Sequence, residues 1–229
     1  MILAVGNTDA ETARTLGDFS DWIAAGLQGQ GLPVQVLDPR RGDALPEPQQ
    51  LAGVVITGSH AMVTERAPWS EAVAAWLRKA VPQGLPTLGI CYGHQLLADA
   101  LGGQADDHPG GLELGTVEVQ SLPAARSDPL FAHLPPRFKA QVVHRQRALR
   151  LPEGAVPLAA NAWEAHQAFR IGDWAWGVQF HPEFSAPAMQ AYVDRLGAEA
   201  AMPASVAPTP EAASLLPRFA QLAHLRATA

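Results

Sequence analysis

The stretch "PTLGICYGHQLLADALGG", residues 86–103, contains Cys91, the single cysteine among 229 residues. An apolar run leads into the thiol, and a helix-like run closed by Gly102 and Gly103 follows it. One sulfur cannot form an intrachain disulfide, so Cys91 is either a small buried apolar side chain or a reactive group. Its flanks, Gly89 and Gly93, reproduce the Gly-x-nucleophile-x-Gly spacing of an elbow between a strand and a helix. Such a turn pushes the nucleophile out of the sheet, and the glycines leave room for neighbouring backbone. The helix N-terminus then favours a thiolate through its partial positive charge. It also presents the Tyr92 N–H to a developing oxyanion.

A thiolate nucleophile needs a base, and the base needs a group to orient it. The second informative stretch is "WAWGVQFHPEF", residues 174–184. His181 and Glu183 stand two apart at the end of a predicted strand, so in extended backbone their side chains point the same way. Glu183 is then placed to hold one imidazole nitrogen while the other faces the thiol, with Pro182 fixing the backbone between them. His-x-Glu also chelates metals, but no further histidine or carboxylate stands at a matching local spacing, so no metal is expected. The plain alternative for either residue alone is a polar group at a strand end.

The order of elements gives these two stretches a frame. "MILAVG", "VQVLD" at 34–38, "LAGVVITG" at 51–58 and "LPTLGI" at 85–90 read as strands. Helical spacing over 11–28 (Leu16, Phe19, Ile23, Leu27) and over 70–80 (Val73, Trp76, Leu77) separates them. This alternation predicts a mostly parallel central sheet flanked by helices. After residue 103 strand-like runs dominate, "LELGTVEVQSL", "RFKAQVVH", "HQAFRIG" and "WAWGVQFHP", which predicts an antiparallel extension. Helix returns at "SAPAMQAYVDRLGAEAA". Residues 1–200 are expected to form one α/β domain. Residues 201–229 read as a Pro/Ala/Ser linker and a short amphipathic helix (Leu215, Phe219, Leu222) that docks on this domain or on a partner.

Composition narrows the function classes. The chain is 48% hydrophobic and 17% charged, which describes a globular protein with material for a core. Its net charge of −6 and the lack of a basic stripe argue against nucleic-acid binding. "HRQRALR" at 144–150 reads instead as a solvated strand edge. No apolar run is long enough to span a bilayer. With one cysteine and no leader-like N-terminus, the cytoplasm is the expected location.

Together the two motifs identify a resemblance to class I (triad) glutamine amidotransferase domains, nearest the GMP-synthetase-like branch with its stand-alone members. "GICYGHQLLADALGG" resembles the family's nucleophile motif and "WGVQFHPEF" its His-Pro-Glu motif. "GVVITGSH" at 53–60 falls where the family carries its oxyanion loop, and "ELGTVEV" at 113–119 also fits. The resemblance covers about residues 1–198 and implies a flavodoxin-like fold. It implies Cys91 as nucleophile, His181 as general base and then acid, and Glu183 as orienter. Backbone N–H groups of Gly58 and Tyr92 would form the oxyanion hole, and Gln95 would help hold the substrate. The implied reaction is attack on a γ-carboxamide, loss of ammonia, and hydrolysis of a γ-glutamyl thioester, with no cofactor.

Two departures from the family pattern bear on the substrate. The loop reads "TGSH" where many relatives have Gly-Pro, so Ser59 and His60 are expected to reshape the pocket rim. "VVHRQRAL" keeps His144 as a candidate substrate-binding residue but has Gln146 where relatives often carry an acid. His94 and His166 are candidates for the pocket wall, but a histidine satisfied by a local hydrogen bond is the commoner outcome, so neither is counted as catalytic. Trp69, Trp163, Trp174 and Trp176 are expected in the core or in that wall. Three functions compete: a glutaminase feeding ammonia to a separate synthetase, since no P-loop is present; a stand-alone γ-glutamyl hydrolase or peptidase; and a non-catalytic binding module, which the complete triad argues against.

Overall fold

The computed structural model describes residues 1–29 and 31–228. Its first half alternates as the sequence pattern predicts. β1 (Ile2–Leu3), β2 (Val36–Leu37), β3 (Val54–Ile56) and β4 (Thr87–Ile90) are the strands. Between and after them run α1 (Ala10–Leu16), α2 (Phe19–Gly26), α3 (Pro68–Ala80) and α4 (Tyr92–Ala100). The single helix expected over 11–28 is two. Gly17 at φ 89° ends α1, and Asp18 starts α2 in a capping box with Asp21. Leu16, counted into the apolar face from its spacing, ends α1 just before that break and is exposed.

The second half adds β5 (Gln104–Asp107), β6 (Glu113–Ser121), β7 (Arg137–His144), β8 (Gln146–Arg150), β9 (Val156–Ala160), β10 (Ala168–Ile171) and β11 (Ala175–Val178). The helices α5 (Ala186–Leu196), α6 (Pro210–Ala213) and α7 (Leu215–Thr228) complete the chain. Among the described residues one nine-stranded sheet runs β2-β1-β3-β4-β11-β10-β9-β6-β7, and β5 pairs with β8 apart from it. The block β2-β1-β3-β4-β11 is parallel, and β10, β9, β6 and β7 extend it antiparallel. β11, grouped by sequence with the later strands, therefore belongs to the parallel block, in register with β4 from Ala175↔Thr87 to Val178↔Ile90. The fold is mixed α/β and flavodoxin-like.

Alternate side chains of each strand feed opposite faces of the sheet. Leu3, Val54 and Ile56 pack with Leu77, Leu96 and Leu97 beneath α3 and α4. Ile2, Val55, Leu88 and Ile90 pack on the other face with Ile23 of α2 and with Leu216, Phe219 and Leu222 of α7. The C-terminal helix is thus docked on its own sheet, where the Phe219 and Trp176 rings meet edge to face at 6.3 Å between centroids. No described helix is long and apolar enough to cross a membrane.

Phe219 is 2% exposed, so Phe219→Ala is expected to lower the unfolding free energy by about 3 kcal/mol or more in a denaturant titration. A loss near zero would mean that α7 is not part of the folding unit.

Candidate active site

Three neighbouring parallel strands end together, and each delivers one part of the site. Gly58 lies two residues beyond Ile56 of β3, Cys91 directly follows β4, and His181 lies three residues beyond Val178 of β11. This is the carboxyl edge of the parallel block, where open α/β sheets bind ligands. A Cβ placed on Gly58 would stand 3.0 Å from His181 Cε1 and 3.8 Å from Cys91 Cβ, so all three residues meet at one point.

The elbow is as tight as its glycines imply. A Cβ on Gly89 would lie 2.3 Å from the Gly93 carbonyl oxygen, and one on Gly93 would lie 2.6 Å from that of Ile56. The first contact would force α4 away from β4, and the second would force α4 away from β3. Cys91 turns between β4 and α4 at φ 50° and ψ −99°, a conformation unfavourable for a residue with a Cβ. Its N–H is held by the Val178 carbonyl at 2.8 Å, and its own carbonyl accepts from Gln95 N at 3.1 Å. The turn is therefore fixed at both ends by backbone bonds. Tyr92 N and Gly58 N find no backbone or side-chain acceptor among the described residues.

His181 and Glu183 meet as the spacing suggests, with His181 Nδ1 2.7 Å from Glu183 Oε1 and both side chains buried. Phe184 packs on the imidazole at 4.2 Å between centroids, with Phe19 at 6.3 Å, so the ring is walled by aromatics. Burial by itself lowers the His181 pKa. The Glu183 carboxylate and then the Cys91 thiol outweigh it and push the group up to about 10. Its Nε2 is buried without an oxygen or nitrogen partner.

Outside the thiol opens a cavity of about 250 Å³ lined in part by Ser59, His60, Cys91, Gln95, His144 and Gln146. Gln95 donates from Nε2 to the Gln146 carbonyl at 2.7 Å and to Gln179 Oε1 at 3.0 Å. Its side-chain carbonyl oxygen has no hydrogen-bond donor among the described residues. Ser59 Oγ accepts from Ala61 N at 3.1 Å and shapes the loop. His60 Nε2 lies 3.1 Å from the Tyr192 hydroxyl, which in turn meets Thr8 Oγ1 at 3.0 Å. Burial, and next the Arg195 charge, hold His60 below its ordinary pKa.

His144 reaches the wall, but both its ring nitrogens face protein acceptors. Nε2 is 2.7 Å from Glu113 Oε2, and Nδ1 is 3.0 Å from the Gln146 carbonyl. Gln146 is equally engaged. Its Oε1 accepts from Val63 N, while its Nε2 donates to Thr64 Oγ1 and to Asp107 Oδ1. It ties the loop at 63–65 to β5 and β8 rather than greeting a ligand. Neither His94 nor His166 lines the cavity. His94 is fully buried against Phe169 and pushed down to about 3 by that burial, and His166 Nδ1 meets the Ala148 carbonyl at 2.7 Å. Trp176 is core, whereas Trp163 stacks on His108 away from the thiol. Spacing gave no hint of Arg145 and Arg195, which both line the cavity although 50 residues of sequence separate them.

The sequence and the fold have relatives of known class. The sequence model of the class-I glutamine amidotransferases covers residues 16–196. The chain belongs to the class-I glutamine amidotransferase family. It is 34% identical over 168 residues to a glutamine-hydrolyzing GMP synthase of Aeropyrum pernix, covering 73% of this chain but only 31% of that protein. It is 32% identical to the glutamine-hydrolyzing GMP synthase subunit of Methanopyrus kandleri, covering 73% of this chain and 84% of that one. A gamma-glutamyl peptidase 4 of Arabidopsis thaliana is 26% identical, with 85% and 80% covered. A glutamine amidotransferase structure from Methylobacillus flagellatus superposes with a TM-score of 0.72 at 26% identity, covering 99% of this chain and 92% of that one.

Two outcomes test this geometry. Glycine relieves a positive φ, so Cys91→Gly is expected to be more stable than Cys91→Ala by about 1 kcal/mol in thermal unfolding. The opposite order would place the strain elsewhere. Protonated His181 has its folded pKa near 10, above the value of about 6.5 expected when unfolded. Its contribution is therefore complete below about pH 6.5 and lost as pH rises through about 10. Between about pH 7 and 10 the unfolding free energy should fall more steeply in the wild type than in His181→Gln. Parallel slopes would contradict the ion pair.

Proposed function

We propose that the chain hydrolyses the γ-amide bond of glutamine or of a γ-glutamyl compound through a thioester on Cys91. The observation that carries this reading is the meeting of Gly58, Cys91 and His181 at one point beyond three adjacent strands, with Glu183 bonded to the far side of the imidazole. The Cys91 thiolate attacks the γ-carbonyl carbon, and the N–H groups of Gly58 and Tyr92 receive the oxyanion. His181, held by Glu183, gives its proton to the departing nitrogen as the C–N bond breaks. It then takes a proton from the water that hydrolyses the thioester, releasing glutamate and restoring the thiolate. No step calls for a cofactor or metal, and a reducing cytoplasm suits the free thiol.

Glutamine as substrate makes ammonia the product. A separate synthetase chain would then be its consumer, a reading supported by the likeness to the Methanopyrus GMP synthase subunit, most of whose length this chain covers. Residues 1–200 would carry the chemistry, with Gln95, Ser59 and His144 shaping the substrate end, and residues 201–229 would brace the sheet. A specific observation favours the second reading, γ-glutamyl peptide hydrolysis. The cavity wall beyond Cys91 includes Met62, Leu112 and Leu196, apolar surface that departing ammonia does not need.

Ammonia and glutamate release from glutamine and from γ-glutamyl dipeptides tests the chemistry. Cys91→Ala is expected to lose about 10³-fold or more in kcat, and His181→Ala to be more damaging than Glu183→Gln. Turnover that survives Cys91→Ala would end the thioester mechanism.

A further inference from the structure

The cavity is asymmetric in charge. Its lining includes two arginines, Arg145 and Arg195, and no aspartate or glutamate among the described residues. The counter-ions stand outside that lining: Glu199 pairs with Arg145, and Asp9 pairs with Arg195. Each pair engages one terminal nitrogen of a group that has five N–H donors, so both guanidiniums have donors to spare. Both pairs are part-exposed, and pairs of that kind are weak and exchange readily for another carboxylate. Arg195 is also held in place, its guanidinium 4.4 Å above the Tyr192 ring. Cys91 is 6% exposed, whereas the Arg145 and Arg195 side chains are 42% and 34% exposed. The positive charge thus sits at the mouth, outward of the thiol.

We propose that Arg145 and Arg195 bind a carboxylate on the group that leaves the γ-carbonyl, so that γ-glutamyl amino acids are the favoured substrate class. The proposal rests on the Cys91 thioester reading and narrows it. With the γ-carbonyl at Cys91, the amino acid attached through its nitrogen extends toward the mouth. Its side chain meets Met62, Leu112 and Leu196, and its carboxylate meets the guanidiniums. The thiolate forms the C–S bond, the C–N bond breaks, and the amino acid departs with a proton from His181. Water then releases glutamate, so the products are two free amino acids. Glutamine has no carboxylate on its leaving nitrogen and leaves this end of the cavity unused.

A matched pair of substrates isolates that carboxylate. γ-Glutamyl-alanine and γ-glutamyl-ethylamide share the same acyl group and the same two-carbon frame on nitrogen, and only the first has the extra carboxylate. The wild type is expected to favour the dipeptide by about tenfold or more in kcat/KM. Raising the salt from about 0.02 M to 0.5 M should shrink that ratio, a readout that needs no variant. In the Arg145→Gln, Arg195→Gln double variant the ratio should fall toward one. A wild-type ratio near one would overturn the proposal. So would a double variant that loses both substrates equally, because the arginines would then read the γ-glutamyl end. If the wild type turns over neither substrate nor glutamine, the thioester chemistry itself fails, and the selectivity with it.

Discussion

Everything at the carboxyl edge depends on the in-register parallel pairing of β3, β4 and β11. Ile56 pairs with Gly89, and Val178 pairs with Ile90. Those ladders bring three chain segments, separated by tens of residues in sequence, to the same height. The Cys91 N–H then bonds to the Val178 carbonyl, carrying the β4–β11 ladder one residue into the elbow. A slip of one residue in either ladder would turn every side chain to the other face. It would also move Gly58 or His181 about 3 Å along its strand, enough to separate the meeting groups. The buried apolar residues on both faces, Leu3 and Ile56 on one side and Ile2 and Leu88 on the other, are what forbid that slip.

On this frame the site concentrates unfavourable features and offsets each locally. The backbone of Cys91 is strained, and the close contacts of Gly89 and Gly93 hold it there. His181 and Glu183 are both removed from water, a costly arrangement unless the charges meet in good geometry. Their 2.7 Å contact and the aromatic wall of Phe19 and Phe184 provide it. Behind the pocket, Glu113 accepts from Asn161 and Gln167 besides His144, so the buried carboxylate beneath the wall is fully engaged. Polar groups in this half of the protein act mainly as fixtures for one another.

Local chemistry was the part legible in the sequence. Gly-x-Cys-x-Gly between a strand and a helix, and His-Pro-Glu after a strand, each encode a turn within a few residues, and both turns are where the pattern put them. The split between α1 and α2 was also written locally, as Gly17 followed by Asp18, but an apolar period running through both helices masked it. β9 carries Pro157 and β5 reads "QADD", so neither has the alternation that marks a strand. The direction of β11 was not readable from its own residues, because parallel pairing depends on which strand lies beside it. The same holds for Gln146, whose role follows from cross-strand partners at 63, 64 and 107. Arg145 and Arg195 share one cavity only through the fold.

A single thiol in 229 residues has an oxidative consequence. If Cys91 is taken to a sulfenic acid, no second cysteine in these residues can condense with it to form a protective disulfide. Recovery then depends on a small external thiol that fits the cavity, and without one the next oxidation is irreversible. The same solitude makes the protein its own titrant, since one equivalent of bound alkylator counts the elbow sites and nothing else.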